Sequence, residues 1–116
     1  MKETTEEKLK VLNQAGRLDQ DSFDFISDVD RYMESNFHNE DNEMLLIHLS
    51  VAINRMINNE DVDGMPNELW AQIISKPEYK VAYSVWNDLK PLAPVQFSKK
   101  ETRYIILHIL NILRRE

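Results

Sequence analysis

The sequence predicts an all-α fold, and three observations carry that prediction. Apolar residues recur at three- and four-residue spacing along most of the 116 residues, which is the period of a helix with one buried face. No segment alternates strictly between hairpin turns, so strands find no support. Punctuation is sparse, with two glycines and four prolines. The expected architecture is a compact helical bundle of about five core helices plus a short N-terminal helix.

The elements follow in order. Thr4 and Glu7 have the spacing of a capping box, and the short helix behind them carries Leu9, Val11 and Leu12 until Gly16 stops it. Asp19 or Asp21 can cap the second helix, where Phe25, Ile26, Val29, Tyr32, Met33 and Phe37 mark the inward face. His38 to Asn42 is polar and acidic and reads as a turn. A third helix runs from about Glu43 to Asn58; it is apolar over most of its circumference, so burial on more than one side is expected. Asn59 to Met65 is a loop with Asp63-Gly64 as its turn. Pro66 suits the first turn of a helix holding Leu69, Trp70, Ile73 and Ile74. Pro77 opens the next, with Tyr79, Ala82, Val85, Trp86 and Leu89 inward, and Pro91 and Pro94 mark a rigid connection. Ser98 and Glu101 form the sharpest capping box in the chain and start the last helix. Trp70, Tyr79, Trp86 and Tyr104 read as core residues more readily than as a ligand box. Two segments are expected, a short helix and linker over 1–18 and the main domain over 19–116.

Composition excludes several classes of function. The chain has no cysteine, which removes disulfide frameworks, thiolate zinc sites and thiol nucleophiles. Net charge is −6, with 20 acidic and 14 basic residues, and Lys99-Lys100 and Arg114-Arg115 are pairs without a patch around them. Direct nucleic-acid binding, which needs clustered cations, is not expected; Arg114 and Arg115 read as complements to a helix C-terminus. Met1 to Lys10 is charged and lacks the apolar stretch of a signal peptide. The apolar runs are too short to span a bilayer, so a cytoplasmic protein without membrane contact is expected. No Gly-x-Ser-x-Gly elbow, phosphate loop or His-Glu-x-x-His helix is present, and Glu40-Asp41-Asn42-Glu43 lacks the glycine and spacing of a calcium loop. No enzyme activity, catalytic residue, cofactor or metal is expected.

Two histidines are the exception to this plain picture. His48 lies in Leu45-Leu46-Ile47-His48-Leu49-Ser50-Val51-Ala52-Ile53-Asn54-Arg55, and His108 in Tyr104-Ile105-Ile106-Leu107-His108-Ile109-Leu110-Asn111. Imidazole among apolar neighbours costs free energy unless it is used. His48, Ala52 and Arg55 share one helical stripe, and Glu101, Ile105, His108 and Ile112 share another. An arginine beside an imidazole disfavours a metal ion but suits a phosphohistidine, whose acceptor oxygens a guanidinium can pair. A carboxylate such as Glu101 near the second imidazole could fix its tautomer and free the other nitrogen for attack. A histidine on an apolar face is also commonly a packed residue with one satisfied nitrogen, and spacing alone leaves both readings open. His38, in its acidic turn, reads as solvated surface.

These segments resemble a known family. Ile47 to Arg55 is similar to the first histidine helix of the phosphotransferase-system regulation domain, or PRD. Lys76-Pro77-Glu78-Tyr79-Lys80-Val81-Ala82 resembles that family's central helix entrance, and Lys100 to Ile109 its closing motif, with Lys100 where the family commonly has aspartate. The resemblance spans Asp19 to Glu116. It implies a five-helix bundle that dimerises, of the kind found in antiterminators and activators of sugar-utilisation operons. It further implies His48 and His108 as phosphoacceptors, with Arg55, Glu101 and Asn111 as phosphate or interface partners. The implied partners are the phosphocarrier protein or a sugar-permease phosphotransfer component, a transcription regulator, and a second copy of the chain. With one copy and no basic module, the chain is expected to act as a stand-alone sensor through a partner. The alternative is a dimeric interaction protein that binds a regulator or permease component without being phosphorylated.

Overall fold

The computed structural model describes residues 1–115. The order is α1 (Glu3–Gln14), α2 (Gln20–Phe37), α3 (Glu43–Ile57), α4 (Asn67–Ser75), α5 (Tyr79–Leu89), a 3₁₀ turn over Lys90–Leu92 and α6 (Lys99–Arg114). The all-α expectation holds. Among the described residues there is no strand.

α6 packs on both α5 and α3, while α3 also packs on α2. One core results, built from Phe25, Ile26, Val29 and Met33 of α2, Leu45, Leu46, Leu49 and Ile53 of α3, and Ile105, Ile106, Ile109 and Leu110 of α6. α5 adds Ala82, Val85, Trp86 and Leu89, the face its spacing predicts. α1 is part of the same core through Leu9, and the segment behind it through Leu18. Among the expected core aromatics Trp86 is buried; Trp70, Tyr79 and Tyr104 are half-buried at the rim.

Several caps are as the sequence predicts. The Asp19 carboxylate accepts from the Ser22 N–H at 2.8 Å, and Ser98 Oγ accepts from the Glu101 N–H at 3.2 Å. Gly16 takes a left-handed φ of 75°, and the Arg17 N–H closes on the Leu12 carbonyl, a helix stop that glycine makes cheap.

Other expectations are corrected. α1 starts at Glu3 behind Lys2 without a side-chain cap; in place of a Thr4–Glu7 box, buried Thr5 donates its hydroxyl to Glu43 at the start of α3. The reversal after α3 sits at Asn59, with φ of 55°, where the Glu60 N–H reaches the Arg55 carbonyl at 2.8 Å; Asp63-Gly64 is not a turn. Asparagine tolerates that left-handed conformation and so ends the helix. The polar segment after α2 is not wholly solvated. Asn42 is buried and donates to the buried carboxylate of Asp30 at 3.0 Å. α3 is buried toward both α2 and α6, yet Met44, Val51 and Ile57 remain exposed. Arg114 pairs with Glu78, just before α5, at 3.1 Å, and Arg115 donates to the Asp41 carbonyl, so both reach across the fold and do not simply complement their own helix end.

Candidate functional site

The site forms where α3 crosses α6. Leu45 and Leu49 bury one side of α3, and Ile105 and Ile109 bury the corresponding side of α6. The helical period then places His48 and Arg55 at the edge of the crossing, facing Glu101 and His108. The two imidazoles stand against each other, with ring centroids 4.6 Å apart and planes tilted by 41°. Tyr104 flanks the His48 ring at 6.2 Å, and its hydroxyl donates to the Asp63 carbonyl.

Glu101 takes a place that the sequence did not predict. Its carboxylate does not close the capping box and does not orient His108. It is buried, with Oε1 2.9 Å from Arg55 Nε and Oε2 3.7 Å from His48 Nε2. The Arg55 contact is an ion pair whose N–H is not aimed at the oxygen, and the His48 contact is too long for a hydrogen bond. His48 Nε2, Arg55 Nε and both Glu101 oxygens are therefore sealed from solvent without a hydrogen bond. Neither nitrogen of His108 is sealed in this way. The mirrored offsets, Arg55 seven residues after His48 and Glu101 seven before His108, carried the signal that these four side chains belong together. Which residue pairs with which depends on the crossing.

The electrostatics keep the imidazoles neutral. Burial, then His108, then Arg55 push His48 down to about 4. Burial lowers His108 as well. Burial raises Glu101, and the Arg55 guanidinium opposes that rise. A neutral imidazole keeps a lone pair on one nitrogen and can act as a nucleophile at neutral pH.

Asn111 lies exposed about one turn beyond His108, outside this cluster. His38 is exposed and holds a left-handed φ of 54° at the end of α2. Among the described residues no group of three or more histidines and carboxylates converges as a metal site, and no helix is long and apolar enough to cross a membrane.

The family model described as PRD domain matches residues 23–112. The chain belongs to the PRD domain family. The matched region of this PRD protein runs from α2 to the last turns of α6 and contains both histidines, Arg55 and Glu101. The chain is also similar to a Bacillus subtilis (strain 168) protein described as a probable licABCH operon regulator, with 31% identity over 70 residues. That match covers 60% of this chain and 11% of the regulator, so the PRD chain spans a small part of the relative's length. No solved structure gives a significant match.

Proposed function

We propose that this PRD chain is a cytoplasmic regulatory module that receives phosphoryl groups on His48 and His108 from the sugar phosphotransferase system. Through a partner protein it would adjust transcription of sugar-uptake operons. The observation that supports this most is the neutral imidazole pair, 4.6 Å between centroids, with the Arg55 guanidinium beside it. In the transfer an imidazole lone pair forms the N–P bond. The bond from phosphorus to the donor's nitrogen or oxygen breaks, and the donor keeps that electron pair. On His48 the attacking nitrogen would be Nδ1, because Nε2 is sealed against Glu101. The new phosphoryl oxygens are acceptors for Arg55, which would then divide its donors between phosphate and Glu101. Since Arg55 and Glu101 tie α3 to α6, that competition would bias the crossing and pass the signal on.

The test is incubation with phosphoenolpyruvate, the general phosphotransferase enzymes and candidate permease components, followed by mapping of acid-labile phosphate. Label on His48 or His108, abolished by His48→Ala with His108→Ala, is the expected result. No label on either ring with any donor removes the reading.

A second reading has its own support. Met44, 69% exposed, and Val51, 44% exposed, flank His48 on one stripe of α3, so a homodimer or a regulator docked over the histidines would bury apolar surface there. Sedimentation equilibrium of wild type against a Met44→Glu, Val51→Glu variant tests it, with a monomeric variant expected. If the histidine variants leave signalling intact while this one disrupts it, the protein works by docking alone.

A further inference from the structure

A hollow of about 520 Å³ opens between α5 and the segment that leads into α6. It lies on the α5 side of α6, whereas the imidazole pair lies on the α3 side. We infer that this hollow binds a small aromatic anion, a ring carrying a carboxylate or phosphate. The inference stands apart from the proposed phosphoryl transfer and gives the chain a second chemical input.

The walls are apolar and fixed in advance. Trp86 is sealed on the inner face of α5, 3% exposed, and Phe97 meets it edge-on with ring centroids 5.5 Å apart. Tyr83, about one turn before Trp86, is 49% exposed and stands at the rim. Pro91 and Val95 add aliphatic surface. The chain leaves α5 through the 3₁₀ turn over Lys90–Leu92 and is extended at Ala93, and Pro91 and Pro94 each fix a φ angle of this strap. The Ser98 cap anchors its far end. A preformed hollow of this volume, mostly apolar with a few polar groups, has the character of a small-ligand site.

The polar groups specify the ligand. Among the described residues the lysines that form ion pairs are Lys2, Lys8, Lys10 and Lys100, so the Lys90 ammonium in the lining is free. No carboxylate lines the hollow, although the chain carries a net charge of −6. An anion is therefore drawn here and repelled by much of the remaining surface. Asn87 and Gln96 also line the hollow, and their amides make no side-chain hydrogen bond to the described residues, which leaves donors for an oxyanion. Thr102 Oγ1 already donates to the Ser98 carbonyl at 2.8 Å. Two amides are too few to satisfy the ring hydroxyls of a sugar phosphate, whereas a flat apolar ring has no such need and packs against aromatic edges. Two hollows of similar volume lack this combination. The one beside Val11 and Leu12 has no aromatic wall, and the one beside Arg31 and His38 is lined by charged and polar residues alone.

The test is a titration of the nitrogen-15-labelled full chain with phenyl phosphate, followed residue by residue in amide correlation spectra. The expected result is saturable shifts at the Trp86 indole N–H, the Asn87 and Gln96 side-chain amides and the backbone from Val95 to Phe97. Phenylacetate should move the same signals. Inorganic phosphate and benzyl alcohol, which each supply half of the ligand, should bind at least about tenfold more weakly. Lys90→Gln should weaken phenyl phosphate about two- to fivefold, the range of an exposed charge pair, and Tyr83→Ala should weaken it as well. Both positions are exposed, and retained spectral dispersion verifies that the variants fold. The proposal is overturned if these signals stay still, if the shifts centre on the imidazole pair, or if inorganic phosphate alone reproduces them. It is also overturned if Lys90→Gln binds as tightly as wild type, or if glucose 6-phosphate binds more tightly than phenyl phosphate.

Discussion

Arg55 Nε stands 2.9 Å from Oε1 of Glu101, a carboxylate only 2% exposed, and that pair joins α3 to α6 directly beside the two imidazoles. Both its strength and its imperfection have consequences. Removing one member of a buried pair leaves an uncompensated charge and costs roughly 3–5 kcal/mol. Arg55 is a quarter exposed, so water recovers part of that. Glu101→Gln is therefore expected to destabilise the fold by about 2 kcal/mol in urea titration, leaving the Ser98 cap in place because the cap uses the Glu101 backbone N–H. An unchanged midpoint would show that the pair contributes little.

Stability should fall on mild acidification, and His48 sets the sign. Its folded value, about 4, lies below its ordinary 6.5, so in between the unfolded chain binds a proton that the folded chain refuses. Stability is fully present above pH 6.5 and is lost as pH falls toward 4, by up to about 3 kcal/mol from this ring. His108 acts in the same direction. Glu101 acts oppositely: its raised value favours the folded state as pH falls through it, offsetting part of the loss at the acid end. Urea midpoints measured from pH 7.5 to pH 4 should drop steeply for wild type and less steeply for His48→Gln.

His38 is expected to matter only through its backbone. It occupies a left-handed φ of 54° that glycine adopts without strain, so His38→Gly should stabilise by a few tenths to about 1 kcal/mol. Phosphoacceptor chemistry should be unaffected. A loss of stability would show that the imidazole makes contacts that matter.

Leu9 tests whether α1 is structural. It is sealed in the common core, so Leu9→Ala should cost about 2–4 kcal/mol in a single unfolding transition. A cost below about 0.5 kcal/mol, the range of surface changes, would make α1 an accessory.

Local features of this fold were legible in the sequence, and features made by a crossing were not. Phe25, Ile26, Val29 and Met33 declared a buried face because helical periodicity is a property of neighbouring residues. Asp19 and Ser98 announced their caps for the same reason. Thr4–Glu7 and Ser98–Glu101 look alike as capping boxes, but α1 already begins at Glu3 and never forms the first, while the second keeps Ser98 and loses the Glu101 side chain to Arg55. The threonine that does find a partner is Thr5, inside α1, which donates to Glu43 of α3. Glu101 left its own helix end because Arg55 offered a full charge inside the protein, a stronger partner than a backbone N–H. The approach of the two histidines was legible only as matched offsets on two stripes. Their pairing needed the angle at which α3 meets α6. Asn59 over Asp63-Gly64 was missed because both Asn and Gly satisfy a left-handed turn, and only the end of α3 decides between them.

His48 and His108 come from helices with α4 and α5 between them in the chain, and they meet only through the docking of α6 on α3. During synthesis one ring leaves the ribosome long before the other. A nascent or locally melted chain thus displays two unrelated histidines, whereas the finished chain displays one composite surface. A donor that recognises the composite reads maturation as well as sequence, and it would leave half-made or damaged copies unmarked.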